Sequence, residues 1–262
     1  DEFDRNFLAF RPFLSLITGV TWDHHEIFPT REDYKSAFKQ FIGQSERTVI
    51  WREDFDYLAM APDDSIRVLD LNQNDENDLK LAGHYNRLDA LLAIEAVDHV
   101  TQLAGEVVIT MNDFPGLQRR MEKLQDNLYS DYAHTPEKIK GAMSVALEMA
   151  AAQGKKLVVI YEPLTNRRQH FMKDDYKDCF GGAQKVYWLT SYLAREDPNQ
   201  PILTPSMLIT HLYDASVAEA RERDDKLRQT IQEHLDNGDM VVCMAGGGGD
   251  SLDEWAREQF ID

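Results

Sequence analysis

Cysteine is almost absent from this chain of 262 residues, which contains only Cys179 and Cys243. Both cysteines lie among apolar neighbours, and neither belongs to a C-x-x-C pair. A disulfide framework or a structural zinc site needs more cysteines at closer spacing than this. We therefore expect two buried, reduced thiols.

Long apolar runs are missing as well. No stretch of 18 apolar residues occurs in the sequence, so we expect no membrane-spanning helix. The first residues, Asp-Glu-Phe-Asp-Arg, lack the charged and apolar regions of a secretory signal peptide. Together these absences predict a cytoplasmic protein.

Positive charge is in short supply. The chain has 28 Lys and Arg residues against 46 Asp and Glu, a formal net charge of -18 at pH 7. An acidic surface repels nucleic-acid backbones and anionic lipids, so we expect neither nucleic acid nor a membrane as a partner. An anionic ligand must therefore be met by local positive features. The hydrophobic fraction of 43% is enough for buried cores in two modest domains.

Strand and helix patterns alternate along the chain. In the first part, apolar runs predict strands at 14–20, 48–51 and 66–71, and helical spacing predicts helices at 31–41, 85–97 and 101–110. The later part predicts strands at 127–133, 156–161, 185–190 and 240–244, with helices at 136–152, 170–178, 204–235 and 251–260. Such alternation predicts parallel sheets covered by helices. We place the domain boundary near Asn112, which gives domains 1–111 and 112–262.

Residues 131–136 read Asp-Tyr-Ala-His-Thr-Pro, at a predicted junction of strand and helix. We expect Asp131 at the carboxyl end of a strand and a helix that begins at Pro136. Open α/β sheets bind ligands in the crevice at this edge, and a helix start offers free N–H groups that suit phosphate. Shortly upstream, Arg119 and Arg120 carry the forked donors that clamp phosphate oxygens. The segment therefore predicts a site for a phosphate-containing ligand.

Other motifs stand in a fixed order around this segment. They are Ile-Thr-Gly-Val-Thr-Trp-Asp-His at 17–24, Gly-His-Tyr-Asn-Arg-Leu-Asp-Ala at 83–90, Phe-Pro-Gly-Leu-Gln-Arg-Arg at 114–120 and Tyr-Leu-Ala-Arg-Glu-Asp-Pro at 192–198. The ordered set resembles the Mur ligases, the ATP-dependent amino-acid ligases of peptidoglycan synthesis, over nearly the whole chain. It is most similar to the members that add L-alanine to UDP-N-acetylmuramate. The resemblance implies an α/β fold: part of the central ATPase-type domain at 1–111, then a Rossmann-like C-terminal domain with a mostly parallel sheet at 112–262.

One element of the family is absent from the sequence. No G-x-x-G-K-[ST] phosphate loop occurs, and the glycine cluster Gly246–Gly249 lacks the Lys-Ser/Thr pair. We therefore expect the sequence to start inside the central domain, after its phosphate loop, and the fragment to be inactive alone. The loop 246–250 is expected to form a tight turn whose amides could bind an anion.

The resemblance implies specific contacts to ATP. Asn86 would bind the adenine through its amide, with Tyr85 standing where the family usually has histidine. Arg120 would reach the γ-phosphate, and Asp131 would accept hydrogen bonds from the ribose hydroxyls. Alternative roles stay open from the residues alone: Asn86 as the N-cap of its helix, and Asp131 as a cap of the helix from Pro136.

A magnesium ion is also implied. Residues 23–26 read Asp-His-His-Glu and are dense in metal-ligand types. The resemblance implies that His24 helps to hold Mg2+, as a supporting ligand, because Mg2+ prefers oxygen ligands and takes few from protein. Spacing alone favours an exposed polar loop at this position.

The remaining implied residues concern catalysis and the acceptor. His134 would orient its loop or contact substrate, and Arg168 would face the acceptor; a satisfied structural histidine and a solvated helix start are the alternatives. Where the alanine-adding ligases usually show Gln-Pro-His-Arg, this chain has Glu162 and a proline, which is closer to the ligases that recycle murein peptides. The implied substrates are thus UDP-N-acetylmuramate with L-alanine or a murein peptide, on a monomer or weak dimer. A non-catalytic nucleotide-binding module is the alternative from another class.

Overall fold

The computed structural model of the chain describes residues 4–22, 27–71, 76, 79–101, 104–194 and 196–261. The chain divides into two compact units, Asp1–Phe114 and Pro115–Asp262. The assignment of residues 1–111 and 112–262 to two family domains stays a prediction. Within the described ranges, no helix is both long and apolar enough to cross a membrane.

In the described part of the first unit, three parallel strands form one sheet. They are β1 (Leu14–Ile17), β2 (Arg47–Trp51) and β3 (Ile66–Leu69), hydrogen-bonded in the order β1-β2-β3. The helices are α1 (Arg31–Gln44), α2 (Arg52–Tyr57), α3 (His84–Thr101) and α4 (Ala104–Asn112). The start of α1 is fixed by Thr30, whose side chain accepts a hydrogen bond from the N–H of Asp33 at 3.1 Å.

Both faces of this sheet are covered because successive residues of a strand point to opposite sides. On one face, Ile50 of β2 packs with Ile42 of α1 and Phe55 of α2. On the other face, the neighbouring Trp51 packs with Leu92 of α3. The strand β2, which was predicted from its apolar run, thus contributes to both cores of the unit.

In the described part of the second unit, six strands form one sheet. The strands are β4 (Glu122–Gln125), β5 (Leu128–Asp131), β6 (Leu157–Glu162), β7 (Lys185–Trp188), β8 (Ala218–Ala220) and β9 (Met240–Ala245). They are ordered β4-β5-β9-β6-β7-β8, and only the β4–β5 pair is antiparallel. The helices are α5 (Pro136–Ala152), α6 (Asn166–Met172), α7 (Pro205–Ile209), α8 (Asp225–Asp236) and α9 (Leu252–Phe260).

The central strands β5, β6 and β9 are buried at every position. The near-continuous apolar runs of β6 and β9 are typical of parallel sheets that are covered on both faces. Val159 of β6 packs with Ile139 of α5 on one face. Val241 of β9 packs with Leu227 of α8 and Leu252 of α9 on the other. The predicted α/β fold with a mostly parallel sheet is confirmed, and β4 is its antiparallel exception.

Two predicted helices differ from the observed ones. The single helix predicted at 204–235 is wrong: α7 ends at Ile209, Ala218–Ala220 forms β8, and α8 begins only at Asp225. The edge of β7 offers main-chain partners to β8, and this tertiary pairing overrides local spacing. The helix predicted at 170–178 begins earlier, as α6, and ends at Met172.

Both cysteines are free and buried, as predicted from their apolar neighbours. Cys179 packs in the cluster on the α5 side of the sheet, and Cys243 in the cluster on the α8 side. Burial raises the pKa of each thiol to about 12. The two groups are therefore protonated and inert at neutral pH.

Candidate active site

The carboxyl ends of four neighbouring strands meet at one edge of the second sheet. There β5 ends at Asp131, β9 at Ala245, β6 at Glu162 and β7 at Trp188. Because these strands are parallel, the loops that follow them lie side by side, and such an edge is where open α/β sheets bind ligands. The predicted residues Asp131 and His134 and the glycine-rich loop all belong to this edge.

Asp131 is the buried carboxylate of this edge, with only 5% of its surface exposed. Its two oxygens accept hydrogen bonds from the backbone N–H groups of Met121 and Ala133, each at 2.9 Å. Burial raises the pKa of the carboxyl, and these N–H groups lower it. Asp131 does not cap α5, whose N-cap is Thr135, so that alternative is wrong. The carboxylate instead ties the end of β5 to the turn before β4.

That turn carries two adjacent arginines with opposite surroundings. The Nη2 of Arg119 donates to the carbonyls of Ala245 at 2.8 Å and Gly247 at 3.0 Å, and its Nε lies 3.4 Å from Oδ2 of Asp253. The guanidinium of Arg120 is exposed and makes no hydrogen bond or salt bridge with the described residues. Arg119 is thus a structural arginine, while Arg120 keeps its donors available for a ligand.

His134 is buried beneath the glycine-rich loop, with 3% of its surface exposed. Its Nδ1 donates to the carbonyl of Tyr132 at 2.7 Å. A Cβ atom at Gly246 would lie only 2.6 Å from this nitrogen, so the ring and the loop are in close contact. The position fits a histidine that orients its loop. A direct catalytic role for His134 stays a prediction.

The loop between β9 and α9 is held by close packing on its first half. A Cβ at Gly247 would lie 2.8 Å from Cδ2 of Tyr192 and 2.9 Å from Cβ of Ser251. The hydroxyl of Tyr192 donates to the carbonyl of Gly249 at 2.9 Å. The N–H groups of residues 246–249 donate to none of the described residues. Successive free amides of this kind form a concavity that suits an anion.

A second buried carboxylate, Glu162, lies beside this loop at the end of β6. Its Oε1 accepts a hydrogen bond from the N–H of Leu252 at 3.1 Å, and its Oε2 lies 3.6 Å from Nη1 of Arg223. Burial raises the pKa of Glu162, while the Leu252 N–H and Arg223 lower it. The same guanidinium also binds Asp250 at the far end of the loop.

An ionic network supports the edge from the side of α9. Asp253 accepts a hydrogen bond from Nε of Arg257 at 3.2 Å and is bonded to the hydroxyl of Ser130 on β5. Arg257 also binds Glu122 of β4 with both terminal nitrogens, and this contact lowers the pKa of the Glu122 carboxyl. Through its contact with Asp253, the Arg119 turn is fixed to the same network.

Arg168, the predicted acceptor residue, lies in the first turn of α6. Its backbone N–H donates to the side chain of Thr165, the N-cap, at 3.4 Å. Its guanidinium is exposed and has no salt bridge with the described part of the chain. The structure therefore places Arg168 at the start of the helix that follows β6, and its charged group has no partner among the described residues. Its role stays a prediction.

The predicted adenine contacts lie in the first unit. Helix α3 begins at His84, so Asn86 stands inside its first turn. The alternative role of Asn86 as the N-cap of this helix is therefore wrong. The Nδ2 of Asn86 donates to the carbonyl of Ala82 at 2.7 Å, and Tyr85 is 63% exposed. Both side chains are accessible at the start of the helix, and their contact with a nucleotide stays a prediction.

The predicted magnesium ligand His24 lies outside the described residues, together with Asp23, His25 and Glu26. Within the ranges that the structure describes, no group of three or more His, Cys, Asp or Glu side chains is placed to hold a metal ion. The assignment of Mg2+ to His24 therefore stays a prediction.

Two residues of the edge were missed from the sequence. Arg223 falls within the helix wrongly predicted at 204–235, and no local pattern indicates its contacts across the fold. Asp253 lies four residues before Arg257 in a predicted helix, and this i, i+4 pair of opposite charges was a usable signal. Neither residue belongs to a motif that carried the resemblance.

Residues 119–247 match the model of the Mur ligase, glutamate ligase domain. The match runs from the Arg119 turn to the glycine-rich loop and so covers the strand ends of the candidate site. The resemblance to the Mur ligases that the ordered motifs predicted is thus confirmed over this part of the chain.

Individual relatives extend the likeness beyond this domain. A UDP-N-acetylmuramate–L-alanine ligase of Gloeobacter violaceus is 24% identical over 280 residues, which cover 94% of this chain and 59% of that protein. The crystal structure of UDP-N-acetylmuramate–alanine ligase from Thermotoga maritima covers 99% of this chain and 61% of its own, with a TM-score of 0.66 and 21% identity. A folylpolyglutamate synthase of Mycobacterium tuberculosis, complexed with ADP and AMPPCP, has a TM-score of 0.59 and 13% identity, and covers 97% of this chain and 65% of its own. The chain thus spans about three fifths of the length of the alanine ligases that it matches, and the structural likeness shows the fold.

Proposed function

We propose that the protein is an ATP-dependent ligase that joins L-alanine to UDP-N-acetylmuramate in the synthesis of peptidoglycan precursors. The observation that carries the proposal is the exposed guanidinium of Arg120, which has no ion-pair partner in the described part of the chain and lies near the buried Asp131 at the carboxyl edge of the sheet. The sequence similarity to alanine-adding ligases over 94% of the chain supports it. The protein would act in the cytoplasm as a monomer or weak dimer.

In the proposed reaction, the carboxylate of UDP-N-acetylmuramate attacks the γ-phosphorus of ATP, giving an acyl phosphate and ADP. The amine of L-alanine then attacks the acyl carbon, and the tetrahedral intermediate collapses to the amide with release of phosphate. Such chemistry depends on positioning and on neutralisation of charge rather than on a protein nucleophile. Arg120 would supply positive charge to the phosphate oxygens, in an otherwise acidic protein.

The nucleoside would be held by side chains that keep free hydrogen-bonding capacity. Each oxygen of Asp131 accepts one N–H and retains a second acceptor position, which suits the ribose hydroxyls. Asn86 donates through Nδ2 to the protein and keeps its Oδ1 for the adenine amine. Tyr85, which is exposed beside it, would cover the base.

Mg2+ belongs to the proposal through His24, and when bound it would neutralise phosphate charge. We assign none of the described residues to the metal. The acceptor would be met by Arg168 and by the N–H groups of residues 246–249, which donate to none of the described residues and whose partial positive charge suits the carboxylate of an amino acid.

A second candidate function is the addition of a murein peptide in place of L-alanine. The observation that favours it is Glu162, which stands where the alanine-adding ligases usually have glutamine and which lies at the acceptor edge. A non-catalytic nucleotide-binding module on the same fold is the alternative outside enzymes.

The test is a phosphate-release assay on the complete product of the gene. We expect release only when ATP, UDP-N-acetylmuramate and L-alanine are all present, and loss of release in Arg120→Ala but not in Arg228→Ala, an exposed control on α8. Release with a murein tripeptide and not with L-alanine would favour the recycling function. Nucleotide binding without any turnover would favour the binding module. The chain by itself, without a G-x-x-G-K-[ST] loop, is expected to release no phosphate.

A further inference from the structure

The glycine-rich loop 246–250 ends in an unusual backbone conformation. Asp250 has a φ of 59°, in the left-handed region that residues other than glycine rarely adopt. Its N–H donates to Oε2 of Glu254 at 2.7 Å, in the first turn of α9. A residue held in this conformation needs surrounding contacts that fix it.

Arg223 supplies such contacts from the segment between β8 and α8. Its Nη1 donates to the backbone carbonyl of Asp250 at 2.6 Å, and its Nη2 donates to Oδ1 of the same residue at 2.9 Å. Nη1 also lies 3.6 Å from Oε2 of Glu162. One guanidinium therefore joins the last residue of the loop to the last residue of β6.

The two ends of this bridge differ in their exposure. The side chain of Asp250 is 93% exposed, so its charge is screened by solvent and contributes little by itself. The side chain of Glu162 is only 6% exposed, and its charge needs a partner. The hold on the loop therefore comes from the bond to the Asp250 carbonyl and from the buried carboxylate. Without Arg223, two carboxylates would face each other at the loop.

Unused polar groups lie in the segment that this bridge holds. The N–H groups of residues 246–249 donate to none of the described residues. The hydroxyl of Ser251, a residue with 1% exposure, also has no partner among them. Buried polar groups without partners mark a place where a ligand can complete the hydrogen bonding.

We propose that Arg223 is a positioning residue that fixes the loop 246–250 against the end of β6 and thereby presents its free amides to an anionic group of the acceptor. The bridge itself is independent of the enzymatic activity. Its consequence for the acceptor rests on the proposed ligase function.

The bridge is tested on the chain by amide exchange and by NMR titration. In Arg223→Ala we expect exchange at the bonded N–H groups of Asp250 and Leu252 to become about tenfold faster, because a charged hydrogen bond is lost. The titration of the Glu162 carboxyl carbon should move to higher pH, because its positive neighbour is gone. Arg223→Lys keeps the positive charge but loses the two-pronged hydrogen bonding of the guanidinium. It should therefore bring the titration of Glu162 closer to the wild type than the amide exchange rates.

Arg228→Ala is the matched control, since this exposed arginine lies on α8 and has no side-chain partner among the described residues. It should leave both readings unchanged. Unchanged exchange and titration in a folded Arg223→Ala would overturn the bridge. If that variant does not fold, the same readings on Arg223→Lys decide the question, and wild-type exchange in Arg223→Lys would equally overturn the bridge.

The consequence for the acceptor is tested on the complete product of the gene. We expect Arg223→Ala to raise the KM for the amine acceptor about tenfold while the KM for ATP stays unchanged. An equal fall of kcat for every acceptor without a change in KM would overturn this role. If the wild-type protein shows no ligase turnover, the proposed function fails, and the exchange experiment still decides whether Arg223 holds the loop.

Discussion

The imidazole of His134 occupies the space that a side chain at Gly246 would need. A Cβ at this glycine would lie 2.6 Å from Nδ1 and 2.7 Å from Cβ of His134, whose ring is buried and bonded to the carbonyl of Tyr132. Because these are atoms near the root of the side chain, rotation of the ring cannot relieve the contact. We expect Gly246→Ala to lower the free energy of unfolding by about 1 to 3 kcal/mol, measured by urea denaturation.

Gly248 in the same loop is the matched control, because a Cβ there would meet nothing within 4 Å. Gly248→Ala should therefore leave the free energy of unfolding within about 0.5 kcal/mol of the wild type. Equal effects of the two substitutions would show that the contact between His134 and Gly246 does not fix this loop.

The two adjacent arginines of the turn before β4 are expected to have different roles, Arg119 in stability and Arg120 in ligand binding. Arg119→Ala removes two bonds to main-chain carbonyls and leaves Asp253 without one of its cationic neighbours. We expect it to lower the free energy of unfolding by about 2 to 3 kcal/mol. Arg120→Ala should change it by less than about 0.5 kcal/mol, because the exposed side chain has no protein partner among the described residues.

The proposed nucleotide role of Arg120 makes a further prediction for this pair. Arg120→Ala in the complete gene product should weaken ATP binding, measured by calorimetry, even though the fold is intact. Wild-type stability of Arg119→Ala would contradict the structural role of Arg119. Wild-type ATP affinity of Arg120→Ala would contradict the nucleotide-binding role of Arg120.

The contact between Glu122 and Arg257 predicts a dependence of stability on pH. Hydrogen bonding to Arg257 lowers the pKa of the Glu122 carboxyl from its usual 4.5. A carboxyl whose pKa is lower in the folded state stabilises the protein above its unfolded value, and this contribution is lost as the pH falls through the folded value. Glu122→Gln should therefore cost about 1 kcal/mol at pH 7. The difference from wild type should persist to pH 5 and shrink below 4.5.

Glu258→Gln on α9 is the control for this measurement, since that side chain is exposed and has no partner among the described residues. The free energy of unfolding of Glu258→Gln should equal that of the wild type both at neutral pH and in acid. A difference for Glu122→Gln that grows in acid would mean that the Arg257 contact does not favour the ionised carboxylate.

The buried thiols predict resistance to alkylation. Burial raises the pKa of Cys179 and Cys243 to about 12, and both lie within packed clusters. We expect neither to react with iodoacetamide in the folded protein at pH 8, and both to react in urea. Ser206→Cys, at an exposed position on α7, is the positive control. Rapid labelling of either native cysteine would contradict their placement in the core.

Much of the fold could be predicted because its central strands have a recognisable local sequence pattern. The runs at 157–160 and 240–244 are continuous and apolar, since both faces of the parallel sheet are covered. The short edge strands gave no such signal: β4 reads Glu-Lys-Leu-Gln and β8 reads Ala-Glu-Ala. Edge strands are half exposed, so main-chain pairing with a neighbour decides them rather than apolar content.

The same division holds for the candidate site. The sequence by itself determined which residues stand at the strand ends, among them Asp131, Glu162 and the glycines from Gly246, because the order of strands and turns is written locally. Only the tertiary structure decided their partners. It separated Arg119 from Arg120 and brought Arg223 to the loop across more than twenty residues of chain. Ion pairs and close backbone contacts depend on which distant segments of the chain pack together. Local periodicity in the sequence does not predict these long-range contacts.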